Sequence, residues 1–290
     1  MQETRPSLSV FSRICLVDRP TGCELLSRQK QHGFSLIEIA LVLVIVGLSL
    51  GGIMSALGPQ LEQRKYAAAQ EQLKAVSEAL YGFAVLNGRL PCPAVASANN
   101  GLEQRTNAVT GLCANNGQGY LPAATLGLPG LAALGSPNAG LFIDPWGYPL
   151  RYAVSQHVVS GNYVLTMNDG IKTAKTAGAT AAQLNATLLR VCAVFSASPT
   201  ACIPAAQQLA QPAFVVFSTG GNGNISGGND ETKNLNKVVG LPAPPAAGLP
   251  NDMVYVSRAK SETAGNTFDD LFYWQPVSSL VNRLCATPGC

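Results

Sequence analysis

From Phe34 to Leu57 the chain reads FSLIEIALVLVIVGLSLGGIMSAL, 24 residues that are apolar or small apart from Glu38 and three serines. No polar face interrupts the run, so the pattern predicts a helix that is apolar all round. At 1.5 Å per residue it would be about 36 Å long, enough to cross a bilayer. Gly47 and the pair Gly51-Gly52 are weak points within it, each costing about 1 kcal/mol against Ala. Pro59 stands where polar residues begin and permits a kink there. The following LEQRKYAAAQEQLKAVSEALYGFAVLNG carries Leu73, Val76, Leu80 and Phe83 at three- and four-residue steps. That spacing predicts a second, amphipathic helix with one apolar stripe. Asn87-Gly88 closes it in the manner of a C-cap.

Past Arg89 the pattern changes to short β-rich runs separated by Pro, Gly and Asn. Strands are expected at 150–154, 163–167, 188–195, 213–217, 253–256 and 271–274. A last helix is expected at 277–284, where Val277, Leu280, Val281 and Leu284 share a face. Long loops are expected at 96–119 and 242–250. Strands do not alternate with helices, so the fold class is α+β: an antiparallel sheet laid on the C-terminal half of one long helix. The expected organisation is a leader at 1–33, an apolar helix at 34–58, an amphipathic helix at 59–88 and a globular head at 89–290.

Charged residues make up only 12% of the chain, against Gly 29 and Pro 19, which fits a hydrophobic segment joined to a loop-rich head. The formal charge of +3 is concentrated in residues 1–33, which hold five bases and three acids and leave 14 bases against 13 acids beyond them. A near-neutral head without basic clusters gives no footprint for nucleic acid. Arg28 and Lys30 next to the apolar run argue for a cytoplasmic N-terminus, although Arg64 and Lys65 stand on the far side. Cys15 and Cys23 precede the run, while Cys92, Cys113, Cys192, Cys202, Cys285 and Cys290 follow it. Six cysteines beyond a membrane segment point to disulfides in an oxidising compartment. Proximity in sequence favours Cys92–Cys113, Cys192–Cys202 and Cys285–Cys290. Zinc is disfavoured by the absence of Cys-x-x-Cys.

An ordinary secretory signal has a shorter apolar core followed by a small-residue cleavage site, and neither is present. A plain membrane anchor leaves Glu38 unexplained, because a carboxylate near the start of a membrane helix costs up to about 3 kcal/mol. Gln31-His32-Gly33 followed by Phe34-Ser35-Leu36-Ile37-Glu38 resembles the cleavage and methylation site of type IV prepilins and pseudopilins. The resemblance implies cutting after Gly33 by the prepilin peptidase, with N-methylation of Phe34. It implies that Glu38 meets the positive N-terminus of a neighbouring subunit, each charge needing the other in an apolar filament core. The implied location is the inner membrane, single-pass, with the head periplasmic before incorporation into a filament with other pilins or pseudopilins.

The resemblance extends into the head. Asp144-Pro145-Trp146-Gly147 and the strand after it are similar to a turn of the major pseudopilins of type II secretion, and Asp269-Asp270 to a strand start near pilin C-termini. Gly88 to Pro93 and Gly119 to Pro122 resemble segments of pseudopilin-like proteins of proteobacteria. In major pseudopilins a loop corresponding to the one after 213–217 binds calcium. Here Asn222, Asn229, Asp230 and Glu231 offer oxygen ligands. The only histidine beyond the leader, His157, has no evident nucleophile partner. Thr219-Gly220-Gly221-Asn222-Gly223-Asn224 follows a strand without opening a helix, unlike a phosphate loop. No catalytic residues are expected, and no cofactor other than calcium. The reading is therefore a structural filament subunit, a minor pilin or pseudopilin. Its alternative is an adhesin-like binding module displayed on the same anchor.

Overall fold

The structure, a computed structural model, describes residues 34–98, 100–129, 132, 138–223, 228–235 and 252–284, with the backbone alone at 50–57, 96 and 116. It divides into two units, Met1–Ser55 and Ala56–Cys290. In the first unit, helix α1 begins at Leu36. Ser35 caps it: its hydroxyl accepts from the Glu38 amide at 3.2 Å, and its carbonyl accepts from the same amide at 3.1 Å. The apolar side chains from Phe34 to Val46 are exposed in every direction, as the sequence pattern implies. Among the described residues no helix is long and apolar enough to cross a membrane; the side chains at 50–57 that complete the apolar run lie outside them.

In the second unit α1 continues to Asn87, with Pro59 inside the helix and not at a break between two helices. Gly88 ends it with φ +65, and a Cβ there would lie 2.3 Å from Asp169 Oδ1 and 3.0 Å from its Cα. Only glycine fits both that left-handed turn and that close approach. The buried stripe comprises Ala69, Leu73, Val76, Leu80, Tyr81 and Ala84. Phe83 departs from expectation: it is only half-buried, and its ring lies beneath the Arg89 guanidinium at 5.0 Å. Tyr81 and Ala84 take the core positions because the stripe drifts around the helix at 3.6 residues per turn.

The strands are β1 (Arg105–Asn107), β2 (Leu112–Cys113), β3 (Gln118–Tyr120), β4 (Arg151–Val154), β5 (Val158–Val159), β6 (Asn162–Tyr163), β7 (Arg190–Cys192), β8 (Gln208–Ala210), β9 (Pro212–Ser218), β10 (Val254–Val256) and β11 (Leu271–Pro276). Helices α2 (Gly170–Thr176), α3 (Ala181–Leu184), α4 (Asn229–Leu235) and α5 (Val277–Leu284) complete the described elements. The main sheet has the order β11-β9-β4-β3 and is antiparallel throughout, as expected. Tyr152 and Val154 of β4 and Phe214 and Val216 of β9 form one core with Leu73, Val76 and Leu80 of α1, joined by Val277 and Leu280 of α5.

The opposite face of that sheet is also covered. Ala153, Val215 and Phe217 pack with Leu189, Val191, Met253 and Tyr255. These last belong to or adjoin a second sheet, β10-β7-β8, in which β10 and β7 run parallel. Every residue of β9 is buried. The uninterrupted apolar run AFVVF is what a strand covered on both faces requires. The expectation of a strand over 163–167 is corrected. The Tyr163 carbonyl accepts from both Thr166 and Met167 amides, so the segment curls into a turn that buries Val164 and Leu165 without a ladder.

Candidate functional site

Three places in the described chain bring functional residues together. The first is the helix start. Glu38 lies in the first turn of α1, where a negative charge interacts favourably with the helix dipole. Ser35 and Glu38 stand at the spacing of a capping box. Phe34 precedes the cap and is 76% exposed. Gly33, the other half of the expected cleavage site, lies outside the described residues, as do Cys15, Cys23, Cys285 and Cys290.

The second is the Asp-Pro-Trp-Gly turn before β4. Asp144 is buried, and its Oδ1 accepts from the amides of Trp146 (3.0 Å) and Tyr148 (2.8 Å). Its Oδ2 accepts from the Ser218 hydroxyl at 2.6 Å, which ties the turn to the end of β9. Burial raises the Asp144 pKa despite these hydrogen bonds. The turn presents Trp146 to α1: its Nε1 donates to Glu62 Oε1 at 2.7 Å. Its ring meets that of Tyr66 edge-on, with centroids 4.9 Å apart. The Tyr66 pKa is pushed up to about 12, first by burial and then by Asp269.

The third is an acidic cluster. One carboxylate oxygen each from Glu231, Asp269 and Asp270 lies within 4.8 Å of the other two. Glu231 comes from α4, and the aspartates immediately precede β11. The turn after β9 supplies the rest of the wall: amides of Gly221 and Asn222 donate to Asp269 Oδ2 at 2.8 and 3.1 Å. Gly220 makes this approach possible; its φ is +65, and a Cβ would sit 2.4 Å from Asp269 Cγ. Asn222 Nδ2 donates to Glu231 Oε2 at 2.8 Å, and the Asp269 amide to Glu231 Oε1 at 3.0 Å. Asn234 Nδ2 donates to Asp270 Oδ2 at 2.8 Å. Asp269 Oδ1 is buried and has no hydrogen-bond partner among the described residues. Burial pushes the Asp270 pKa well up, and burial followed by Glu231 raises that of Asp269.

Of the four ligands expected from the sequence, the structure brings Asn222 and Glu231 to this cluster. Asp230 turns to Arg258, 2.6 Å away, and Asn229 is exposed at the start of α4. Asp269 and Asp270 were absent from that expected set. Two adjacent acids before an apolar strand were the available signal, because one of them must face inward.

Cys92–Cys113 and Cys192–Cys202 are disulfides, with Cα separations of 5.3 and 5.7 Å. Beside the first, Glu103 accepts from the Cys92 amide and forms a 2.6 Å ion pair with Arg89. His157 is buried, with Nδ1 3.3 Å from the Ser155 hydroxyl, which also accepts from the Leu188 amide. Burial lowers the His157 pKa. Ser155 is fully buried, so this contact has no open face for a substrate.

Residues 28–54 match the family model described as the prokaryotic N-terminal methylation motif. The chain is similar to the type II secretion system core protein G of Pseudomonas aeruginosa, with 30% identity over 130 residues, covering 44% of this chain and 76% of that protein. No solved structure gives a significant match.

Proposed function

Because the chain belongs to the type IV pilin and pseudopilin family, we propose that it is a structural subunit of a pilus-like filament, a minor pilin or pseudopilin, without catalytic activity of its own. The observation that carries the reading is the run from Gly33 to Glu38 leading into a helix that is apolar all round. Cleavage after Gly33 frees the Phe34 amine, which prepilin peptidase methylates. The segment from Phe34 then anchors the protein in the inner membrane before assembly, with the head in the periplasm. An oxidising compartment accords with the two disulfides of the head. In the filament, Glu38 faces the Phe34 ammonium of an adjacent subunit. Removing one member of a buried pair leaves the other uncompensated, at about 3–5 kcal/mol.

Two measurements test this. Intact mass of membrane-extracted protein should correspond to a chain beginning at N-methylated Phe34. Glu38→Ala should still fractionate with membranes but fail to cross-link to other pilins. Retention of the leader in cells with active prepilin peptidase, or normal incorporation of Glu38→Ala, would overturn the reading.

The acidic cluster adds a calcium site. Its donors are hard oxygens, its carboxylates are crowded, and Asp269 Oδ1 has no partner among the described residues; together they fit Ca²⁺ better than a thiolate- or imidazole-preferring metal. Glu231, Asp269 and Asp270 would hold the ion, with Asn222 beside them. A bound ion would neutralise these charges and fasten α4 to the start of β11. Calcium should raise the melting temperature of the wild type, and Asp269→Asn should remove most of that rise. An equal rise in both proteins would dismiss the site.

A further inference from the structure

Away from the acidic cluster and the helix start, the head contains a cavity of about 410 Å³ beside β7. Its walls are mixed. Leu112, Leu188 and Met253 supply apolar surface, while Arg190, Tyr163 and Thr200 supply donors. Among the described residues lining it none is acidic. Arg190 is half-buried, and its Nη1 is held by the carbonyls of Thr187 and Leu189. Its backbone amide donates to the Met253 carbonyl at 2.9 Å, which fixes the residue beside the apolar wall. No carboxylate pairs with this guanidinium among the described residues. The hydroxyls of Tyr163 and Thr200 likewise have no hydrogen-bond partner there.

The carbonyls that hold Nη1 orient the guanidinium and leave its Nε and Nη2 edge for a second partner. That edge is the fork that takes a carboxylate through two parallel hydrogen bonds. A partly desolvated cation without a counter-charge is costly, and an anion arriving in the cavity removes that cost. One guanidinium balances one negative charge, which favours a monoanion over a phosphate dianion. The apolar side chains demand that the anion carry an apolar body, and the volume is within the ordinary range for small-molecule sites. The geometry points to a binding site for a small amphipathic carboxylate, with Arg190 gripping the acid group, Tyr163 and Thr200 adding donors, and Leu112, Leu188 and Met253 enclosing the body.

Met253 provides a reporter, being one of only four methionines in the chain. The full-length protein in detergent, labelled at methionine methyl groups, would be titrated with hexanoate, hexanol and hexylamine and followed by NMR. Hexanoate should shift the Met253 methyl resonance at a concentration at least about tenfold below hexanol, the margin of a charge-assisted hydrogen bond. Hexylamine should leave it unmoved. Arg190→Gln should abolish the preference for hexanoate. Leu188→Trp, at a side chain already 44% exposed, should fill the cavity and block the shift while Arg190 stays in place. Equal response to hexanoate and hexanol, a preference that survives Arg190→Gln, or no Met253 response to hexanoate would each overturn the assignment.

Discussion

The bond between Trp146 and Glu62 makes a quantitative claim about how the head holds the amphipathic part of α1. Trp146→Phe keeps a ring against Tyr66 but deletes the N–H that reaches Glu62 Oε1 at 2.7 Å. Glu62→Ala deletes the acceptor. A hydrogen bond to a charged group contributes about 1.5–3 kcal/mol. Both partners are half-buried, so solvent screening reduces the expected coupling to about 1–2 kcal/mol. The double-mutant cycle reads that term directly, because each single variant removes the same bond. Urea unfolding of the four proteins should show each single variant less stable than wild type and the double variant no worse than the weaker single by more than a few tenths of a kcal/mol. In a unit of this size the coupling corresponds to a shift in melting temperature of about 2–8 °C. Strict additivity of the two substitutions would refute the claim that this bond fastens helix to head.

Opening the disulfides should cost about 3.3 kcal/mol for Cys92–Cys113 and about 2.7 kcal/mol for Cys192–Cys202, from sequence separations of 21 and 10; urea unfolding of the paired Ala variants checks the order. Gly220→Ala should destabilise by at least about 1–2 kcal/mol through left-handed strain alone, with the Asp269 contact adding to it. Gly82→Ala, on α1 with nothing within 4 Å of its Cβ, should instead stabilise by about 0.4–1 kcal/mol; thermal melts separate the two. His157 has a folded pKa below its ordinary 6.5, so the unfolded chain binds its proton first. Its contribution to stability is therefore intact above about pH 6.5 and is lost as the pH falls below that value, by up to about 1.4 kcal/mol per unit. Asp144, Asp269 and Asp270 have raised pKa values and act in the opposite direction. Isolating the histidine therefore requires comparison with His157→Gln, which should show a smaller loss between pH 6.5 and 5.

Elements with their own period or punctuation were legible in the sequence. The stripe through Leu73, Val76 and Leu80, the Gly88 cap, the apolar run of β9 and the short helix α5 all lie where local pattern puts them. The rest depends on contacts between distant segments. Strand β3 is three residues with a central glycine, and no alternation announces it. The parallel pairing of β7 with β10 joins Arg190–Cys192 to Val254–Val256, a relation that spacing along the chain does not encode. The acidic cluster was half visible for the same reason. Glu231 stood out in an Asn- and Gly-rich loop, whereas Asp269 and Asp270 belong to it only because β11 returns beside β9. Residues 163–167 misled because a short apolar run can be buried by a turn as well as by a strand.

The order of the main sheet also bears on when the head can fold. Its central strand, at 212–218, is flanked by one partner at 151–154 and another at 271–276, and the α1 stripe rests on the surface these three make. No N-terminal portion of the head therefore contains a closed core, and a chain delivered across a membrane from its N-terminal side must wait for its final strand. Until then the stripe at Leu73, Val76 and Leu80 is without its cover. Pairings this distant in sequence also place the head among slowly folding topologies, on the scale of milliseconds to seconds. The small loop closed by Cys192 and Cys202 is under no such constraint, and both of its thiols are available before β10 and β11 have arrived. For a head exported in this order, the timing of export would set the timing of folding.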